Sequence, residues 1–440
     1  MSSTDSRKRT DGAALSSLVT SRGVATAVAA LLFSAILISF RPFQPQGAIT
    51  AADGGGDIVN QLGFGVLGAV SVSALLMLAE PRVLRSLVSP SWLLLLGFLM
   101  LSVAMAAAPA AAMRTASFTL IGMLAMAGVL ALPRDADSFA TVVIFTAVAV
   151  LGLSYMGLVV FPNEAMHTAD SVEAEHAGLW RGVFTHKNIA GPVMACLSFA
   201  GLYLFRRGRR RWGGLIFLAA MNFMLHTGSK TTAGLVPVSI LVVMLPSLIG
   251  MRIGTPLIFM AAVVATAIGT LGIVFLPPMK ALATTYFPDL TYTGRTTLWE
   301  FAGEMLAKRP WTGYGYESFW GTPTVFNQEH PFDRAWDVRP MVHGHDGYLD
   351  IAVTMGVRAR CGAAYVFALA PMRDYMRIPP LKENVYLGDF FMMVLLFTGL
   401  NAFLESFFFR RTDPVWMLFV LAVLGLRQVS LRPVAMRRLP

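Results

Sequence analysis

The chain has 440 residues, of which 55% are hydrophobic and only 14% charged, with a mean hydropathy of +0.62. That leaves too little polar surface to cover a globule in water, which excludes an ordinary soluble protein and points to an integral membrane protein. The formal net charge of +10 is read as topology and attraction to anionic lipid, not as a nucleic-acid patch.

Apolar runs of roughly 17 to 25 residues, the length that crosses ~30 Å of hydrocarbon as a helix, recur about a dozen times along the chain. They lie near 23–40, 61–79, 91–108, 115–132, 138–161, 189–205, 212–226, 232–249, 256–276, 357–372, 388–409 and 414–427. The expected fold class is therefore all-α, a polytopic bundle of about 12 transmembrane helices. The first run lies far from any small-residue cleavage site and continues into further spans, so it reads as a retained helix and not a signal peptide.

Basic residues in short loops orient the bundle, because Lys and Arg are held on the cytoplasmic side. The strongest marker is "FRRGRRR", with Arg206, Arg207, Arg209, Arg210 and Arg211. Counting spans outward from it puts the N-terminal "SRKR", Arg82, Arg85, Arg134, Arg252, Arg373, Arg377, Lys382 and the C-terminal "RPVAMRRLP" on the same side. The expected layout is a cytoplasmic tail over 1–22, helices 1–9 over 23–276 with an outer loop at 162–188, a large outer loop over 277–356 between helices 9 and 10, helices 10–12 over 357–427, and a cytoplasmic tail over 428–440. Cys196 and Cys361 fall in or beside spans, which indicates no disulfide framework and excludes a cysteine-based metal site.

With that orientation the outer side can be inventoried. The late loop, roughly eighty residues, is longer than a structureless connection should be, and long ordered loops carry function. All seven histidines, His167, His176, His186, His226, His330, His343 and His345, fall on the outer side or at its boundary. The spans are nearly free of charge; Glu405 is the main ionisable group, which weakens a transporter or flippase reading.

The first outer loop ends in "LWRGVFTHKNIAG", which sets Arg181, His186, Lys187 and Asn188 against the start of a helix. The next outer turn, "HTGSKTTAG", puts Ser229, Lys230 and Thr231 at a helix N-terminus, where free N–H groups and the dipole favour an anion. The large loop holds "TYTGRTTLWEFAGEMLAKRPWTGYGYESFW" and then "MVHGHDGYLD". Arg181, Lys230 and Arg295 thus come to one face of the membrane, and converging cations suit a pyrophosphate, which arginine grips with paired hydrogen bonds.

The order "RGVFTHKNIAG", "GSKTT", "TGRTTLW", "RPWTGYGYESFW", "HDGYLD", in a many-span chain with one large late outer loop, resembles the O-antigen ligase and polymerase superfamily, and within it the ExoQ-type exopolysaccharide polymerases. The motifs run from about 180 to 350. The resemblance implies a metal-independent, inverting glycosyltransferase that uses no cofactor. In such an enzyme His345 activates the acceptor hydroxyl while Arg181 and Arg295 hold the undecaprenyl pyrophosphate of the donor. Lys230 joins that set, and Lys187, His186, Asp346 and Ser229 are secondary candidates. It also implies donor and acceptor oligosaccharides on undecaprenyl pyrophosphate, a bacterial inner-membrane location facing the periplasm, and chain-length regulators and export machinery as candidate partners. An O-antigen ligase delivering the glycan to lipid A–core is the nearest alternative.

Two departures stand out. The family's Asn after the histidine is Asp346 here, able to orient the His345 ring or raise its pKa. Arg358 and Arg360 occupy positions that are small or apolar in relatives, so 346–356 is read as an outer surface helix with the next span starting near 357. His343 has no third ligand at motif spacing and is set aside as a zinc ligand. Trp299, Trp311, Tyr314, Tyr316 and Trp320 fit sugar stacking or simply the aromatic belt of a membrane interface.

Overall fold

The structure, a computed structural model, describes residues 3–44, 58–169, 174–286, 292, 294–328 and 337–433, with the backbone alone described for 3–20. His330, the tail residues 434–440 and parts of both expected outer loops lie outside the described residues. Among the described residues there are no strands, and helices follow one another along the chain.

Nine helices are long and apolar enough to cross a membrane among the described residues, or ten if Pro81–Leu87 and Pro90–Ala104, bent by 63° where they meet, form one broken span. The chain is thus an all-α polytopic membrane protein. Two other expected spans are helical but fall short of that standard. Arg210–His226 has only 17 residues, and the helical stretch 357–376 carries Arg358, Arg360, Arg373 and Asp374.

Local chemistry explains where the helices begin. Proline opens Pro81–Leu87, Pro90–Ala104, Pro109–Ala131 and Pro414–Leu431, where its missing N–H costs nothing. Asp135 caps Ala136–Val160 through the Ser138 N–H, and Asp413 caps Pro414–Leu431 through Val415 and Trp416. Lys187–Arg206 and Arg210–His226 pack backbone to backbone because glycines meet there: a Cβ at Gly201 would lie 2.6 Å from the Phe217 nitrogen. Lys187–Arg206, Lys382–Asn401 and Pro414–Leu431 are 78%, 83% and 78% buried within the protein and form the centre of the bundle, whereas Ile58–Leu78, Lys230–Leu248 and Gly254–Phe275, each 28% buried, lie at its rim.

One expected span is cut short. The run 388–409 was expected to be helical to its end, but the helix stops at Asn401 and residues 402–409 are irregular. The reason is packing: Phe403, Phe407, Phe408 and Phe409 turn inward and plug that end of the bundle, where Phe408 and Phe409 lie 5.7 Å and 4.8 Å from the Trp416 ring. An apolar sequence used as a plug has the same composition as one used as a span.

The two ends of the bundle differ. At one, arginines pair with acids: Arg22 with Asp135, Arg206 with Asp389, Arg207 with Glu383 and Asp137, and Arg209 with Asp137. At the other, the chain opens into a cavity.

Candidate functional site

The cavity has a volume of about 870 Å³ and is framed by five segments: the end of the first helix and the residues after it (Ile36 to Gln44), Asn60 and Phe64 of Ile58–Leu78, residues 183–189 at the start of Lys187–Arg206, the 340–345 stretch, and 405–415. Its ionisable lining is His186, His343, His345, Glu405 and Asp413 together with Arg41, Arg410 and Arg411, with Asn188 among the neutral polar residues.

His345 sits in the left-handed region at φ 53°, which an L residue adopts only when its surroundings impose it. Those surroundings grip Gly344. Its N–H donates to Asp350 Oδ2 at 3.1 Å, and its carbonyl accepts from Trp299 Nε1 at 2.9 Å. Trp320 Nε1 holds the other Asp350 oxygen at 2.8 Å. Trp299 and Trp320 therefore serve the backbone of the histidine turn. Burial pushes the Asp350 carboxyl above its usual range. Past the turn, the Gly347–Met355 helix begins where a surface helix was expected, but it packs inward, with Leu349, Ile351, Ala352, Val353 and Met355 buried, and the Gly347 N–H donates to Ala402 O at 2.8 Å, tying the turn to the phenylalanine plug.

Glu405 joins the segments. Its Oε1 accepts from Arg295 Nη2 and Asn188 Nδ2, both at 3.1 Å, while its Oε2 lies 3.4 Å from His345 Nδ1. The last distance is that of an ion-pair contact, and Nδ1 makes no hydrogen bond. Arg295 opens its helix immediately after Gly294, whose φ of 89° turns the chain. The His343 ring lies 4.0 Å from that of His345, and burial, followed by the neighbouring His345, Arg410, Arg295 and His186, holds His343 well below its usual pKa.

The other sequence candidates fall in different places. Arg181 is 1% exposed, and its guanidinium donates to the carbonyls of Gln44 at 2.9 Å, Thr185 at 3.3 Å, Met166 at 3.4 Å and Phe184 at 3.5 Å. Burial lowers its pKa, partly offset by Glu164. Gln44, Phe184 and Thr185 line the cavity while Arg181 itself does not, so its geometry is that of a clamp behind the wall and not of a hand on a ligand. Asp346 is fully buried and caps its helix through the Leu349 N–H at 2.8 Å; among the described residues no bond joins it to His345. Burial pushes its carboxyl up to about 8. The partner at His345 Nδ1 is Glu405.

Lys230 is exposed at the start of its helix and outside the cavity lining, and the Ser229 hydroxyl bonds Thr232 at 2.8 Å. The Lys187 N–H donates to His167 Nε2 at 3.2 Å, and His186 caps the helix by accepting the Asn188 N–H on Nδ1 at 3.0 Å. Arg41, Arg410 and Arg411 were not singled out from the sequence. A signal was available: "RRTD" lies between the last two spans on the expected outer side, where basic residues are disfavoured.

Residues 182–359 match the protein-family model described as O-antigen ligase. This supports the superfamily to which the motifs pointed, and with it ligase- or polymerase-type transfer of lipid-linked glycans. The O-antigen ligase match starts one residue after Arg181 and takes in Arg295 and His345, but ends before Glu405, Arg410 and Arg411. No curated protein matches the chain.

Proposed function

We propose that the protein is a glycosyltransferase of a bacterial inner membrane that joins oligosaccharides carried on undecaprenyl pyrophosphate at the periplasmic face. On this reading the cavity end of the bundle is periplasmic and the ion-paired end, with its arginine-rich turn, is cytoplasmic. The observation that carries the reading is the His345–Glu405–Arg295 constellation opening into a cavity lined by Arg41, Arg410 and Arg411.

The chemistry follows from the geometry. With Nδ1 turned to Glu405, Nε2 of His345 is left for the acceptor hydroxyl and takes its proton as the oxygen attacks the anomeric carbon. The bond from that carbon to the pyrophosphate breaks, and the pyrophosphate leaves with its lipid, its growing charge met by Arg41, Arg410 and Arg411. Glu405 stabilises the imidazolium that forms, while Arg295 and Asn188 fix the carboxylate, the division of labour of a base and its orienting acid. Attack opposite the leaving group inverts the sugar carbon and needs no metal. Arg181, occupied by carbonyls, holds the wall from behind.

The acceptor is a second lipid-linked repeat, making the protein a polysaccharide polymerase; this rests on the ExoQ-like motifs. The family description favours a second reading, a ligase that uses lipid A–core. Reconstitution with lipid-linked repeat units as the only substrate decides between them. Polymer formed without lipid A–core is the expected result, and reaction only after core is added would overturn it. A flippase reading finds no support in the opposite end, where ion pairs join the helices.

A further inference from the structure

Upstream of the cavity, residues 162–169 and 174–182 pair antiparallel as the two described arms of a hairpin. Met166 bridges to Trp180, the His167 N–H donates to Leu179 O at 2.9 Å, and the Gly178 N–H donates to His167 O at 2.8 Å. His167 and His176 belong to this hairpin, and His186 to the start of the Lys187–Arg206 helix. The three rings converge with centroids 4.8, 5.6 and 5.8 Å apart, and one nitrogen from each lies within 4.8 Å of the others.

We propose that His167, His176 and His186 form a binding site for one divalent transition-metal ion of the zinc class, which clips the hairpin to the helix start. Three imidazoles suit zinc, copper or nickel and disfavour magnesium and calcium, which take oxygen ligands. Around an ion with Zn–N bonds of about 2.0–2.1 Å, tetrahedral ligand nitrogens sit roughly 3.4 Å apart. From within 4.8 Å, closure takes a ring shift of roughly an ångström or less. Three protein ligands leave a fourth position for water or an anion. The site stands apart from the proposed transfer reaction and assigns the metal no part in its chemistry.

Metal binding here competes with helix capping. His167 Nε2 and His186 Nδ1 already accept the N–H groups of Lys187 and Asn188. A neutral imidazole has one proton and one lone pair, so giving either nitrogen to a metal withdraws the acceptor from the amide. Loading therefore uncaps the first turn of the helix that carries Asn188, whose side chain holds Glu405 at 3.1 Å. The ion would act on the cavity through that helix start.

The test uses full-length protein in nanodiscs, incubated with zinc chloride and desalted before metal analysis. One zinc per chain is expected for wild type and for His343→Gln, with retention lost in His176→Gln. Equal retention in wild type and His176→Gln, or loss in His343→Gln alone, overturns the site. Should His176→Gln fail to fold, wild type decides alone. Zinc, but not magnesium, should raise its thermal midpoint and quicken hydrogen exchange at the Lys187 and Asn188 amides. A midpoint that ignores zinc, or exchange that stays unchanged, refutes the proposal.

Discussion

The two ends of the bundle use arginine in opposite ways. At one end Arg206, Arg207 and Arg209 each meet a carboxylate, and Asp389, fully buried, also accepts from Tyr375 and Ser247. At the other, Arg41, Arg410 and Arg411 line a cavity together with two carboxylates, Glu405, engaged by Arg295, Asn188 and His345, and Asp413, which caps its helix. Paired charge joins helices, whereas a lining in which Arg41, Arg410 and Arg411 outnumber the carboxylates Glu405 and Asp413 favours an anionic ligand. On the proposed function, architecture belongs to the first end and chemistry to the second, and mutations should separate the two.

The largest effect is expected at His345. Its replacement by Ala should cut turnover by about 10²–10⁴-fold, the usual worth of a positioned base, with the protein still inserted. Transfer of radiolabelled lipid-linked glycan measures this, and an active variant would refute the base assignment. The opposite end should show the mirror image. Asp389→Asn leaves Arg206 without its buried partner, costing on the order of 3 kcal/mol. It should lower the thermal midpoint while the folded fraction keeps its specific activity; lost activity in folded protein would dissolve the distinction between the ends.

Glu405→Gln keeps the shape of the carboxylate and removes its charge, so kcat should fall by about tenfold or more with KM little changed. A change confined to KM would instead make Glu405 a substrate contact. Arg410→Ala should do the converse, raising the KM for donor by about tenfold, the scale of one charged hydrogen bond; an unchanged KM would remove Arg410 from the anion site. The last prediction concerns pH and stability at Asp346, whose carboxyl burial raises from its ordinary value to about 8. The folded protein therefore keeps a proton that the unfolded chain has released, and stability falls as pH rises from about 4 to about 8. Asp346→Asn retains a cap and should flatten that slope in thermal melts; an unaltered slope would assign it to other groups.

The all-helical membrane fold was legible because hydrocarbon thickness imposes itself on composition. The motifs marked His345 and Arg295 as candidates, and the structure brings both to one carboxylate, Glu405, where Arg295 was expected on the pyrophosphate. Glu405 was visible only as an ionisable residue at the end of an apolar run, since "NAFLESFFF" has the composition of a span and its role depends on the helix stopping at Asn401. Arg181 and Asp346 show the reverse difficulty: a motif position says that a residue matters, not whether its hydrogen bonds go to a ligand or to the backbone. The meeting of His167, His176 and His186 depends on the hairpin fold, which no spacing rule encodes.

Part of the cavity wall, at Asn60 and Phe64, belongs to Ile58–Leu78, a helix only 28% buried within the protein. On the proposed function, a substrate anchored in the bilayer meets this side of the cavity wall with its tail still in lipid. Its encounter with the enzyme is then a two-dimensional search, and the concentration that governs the rate is the donor's mole fraction in the membrane, not its molarity in the vessel.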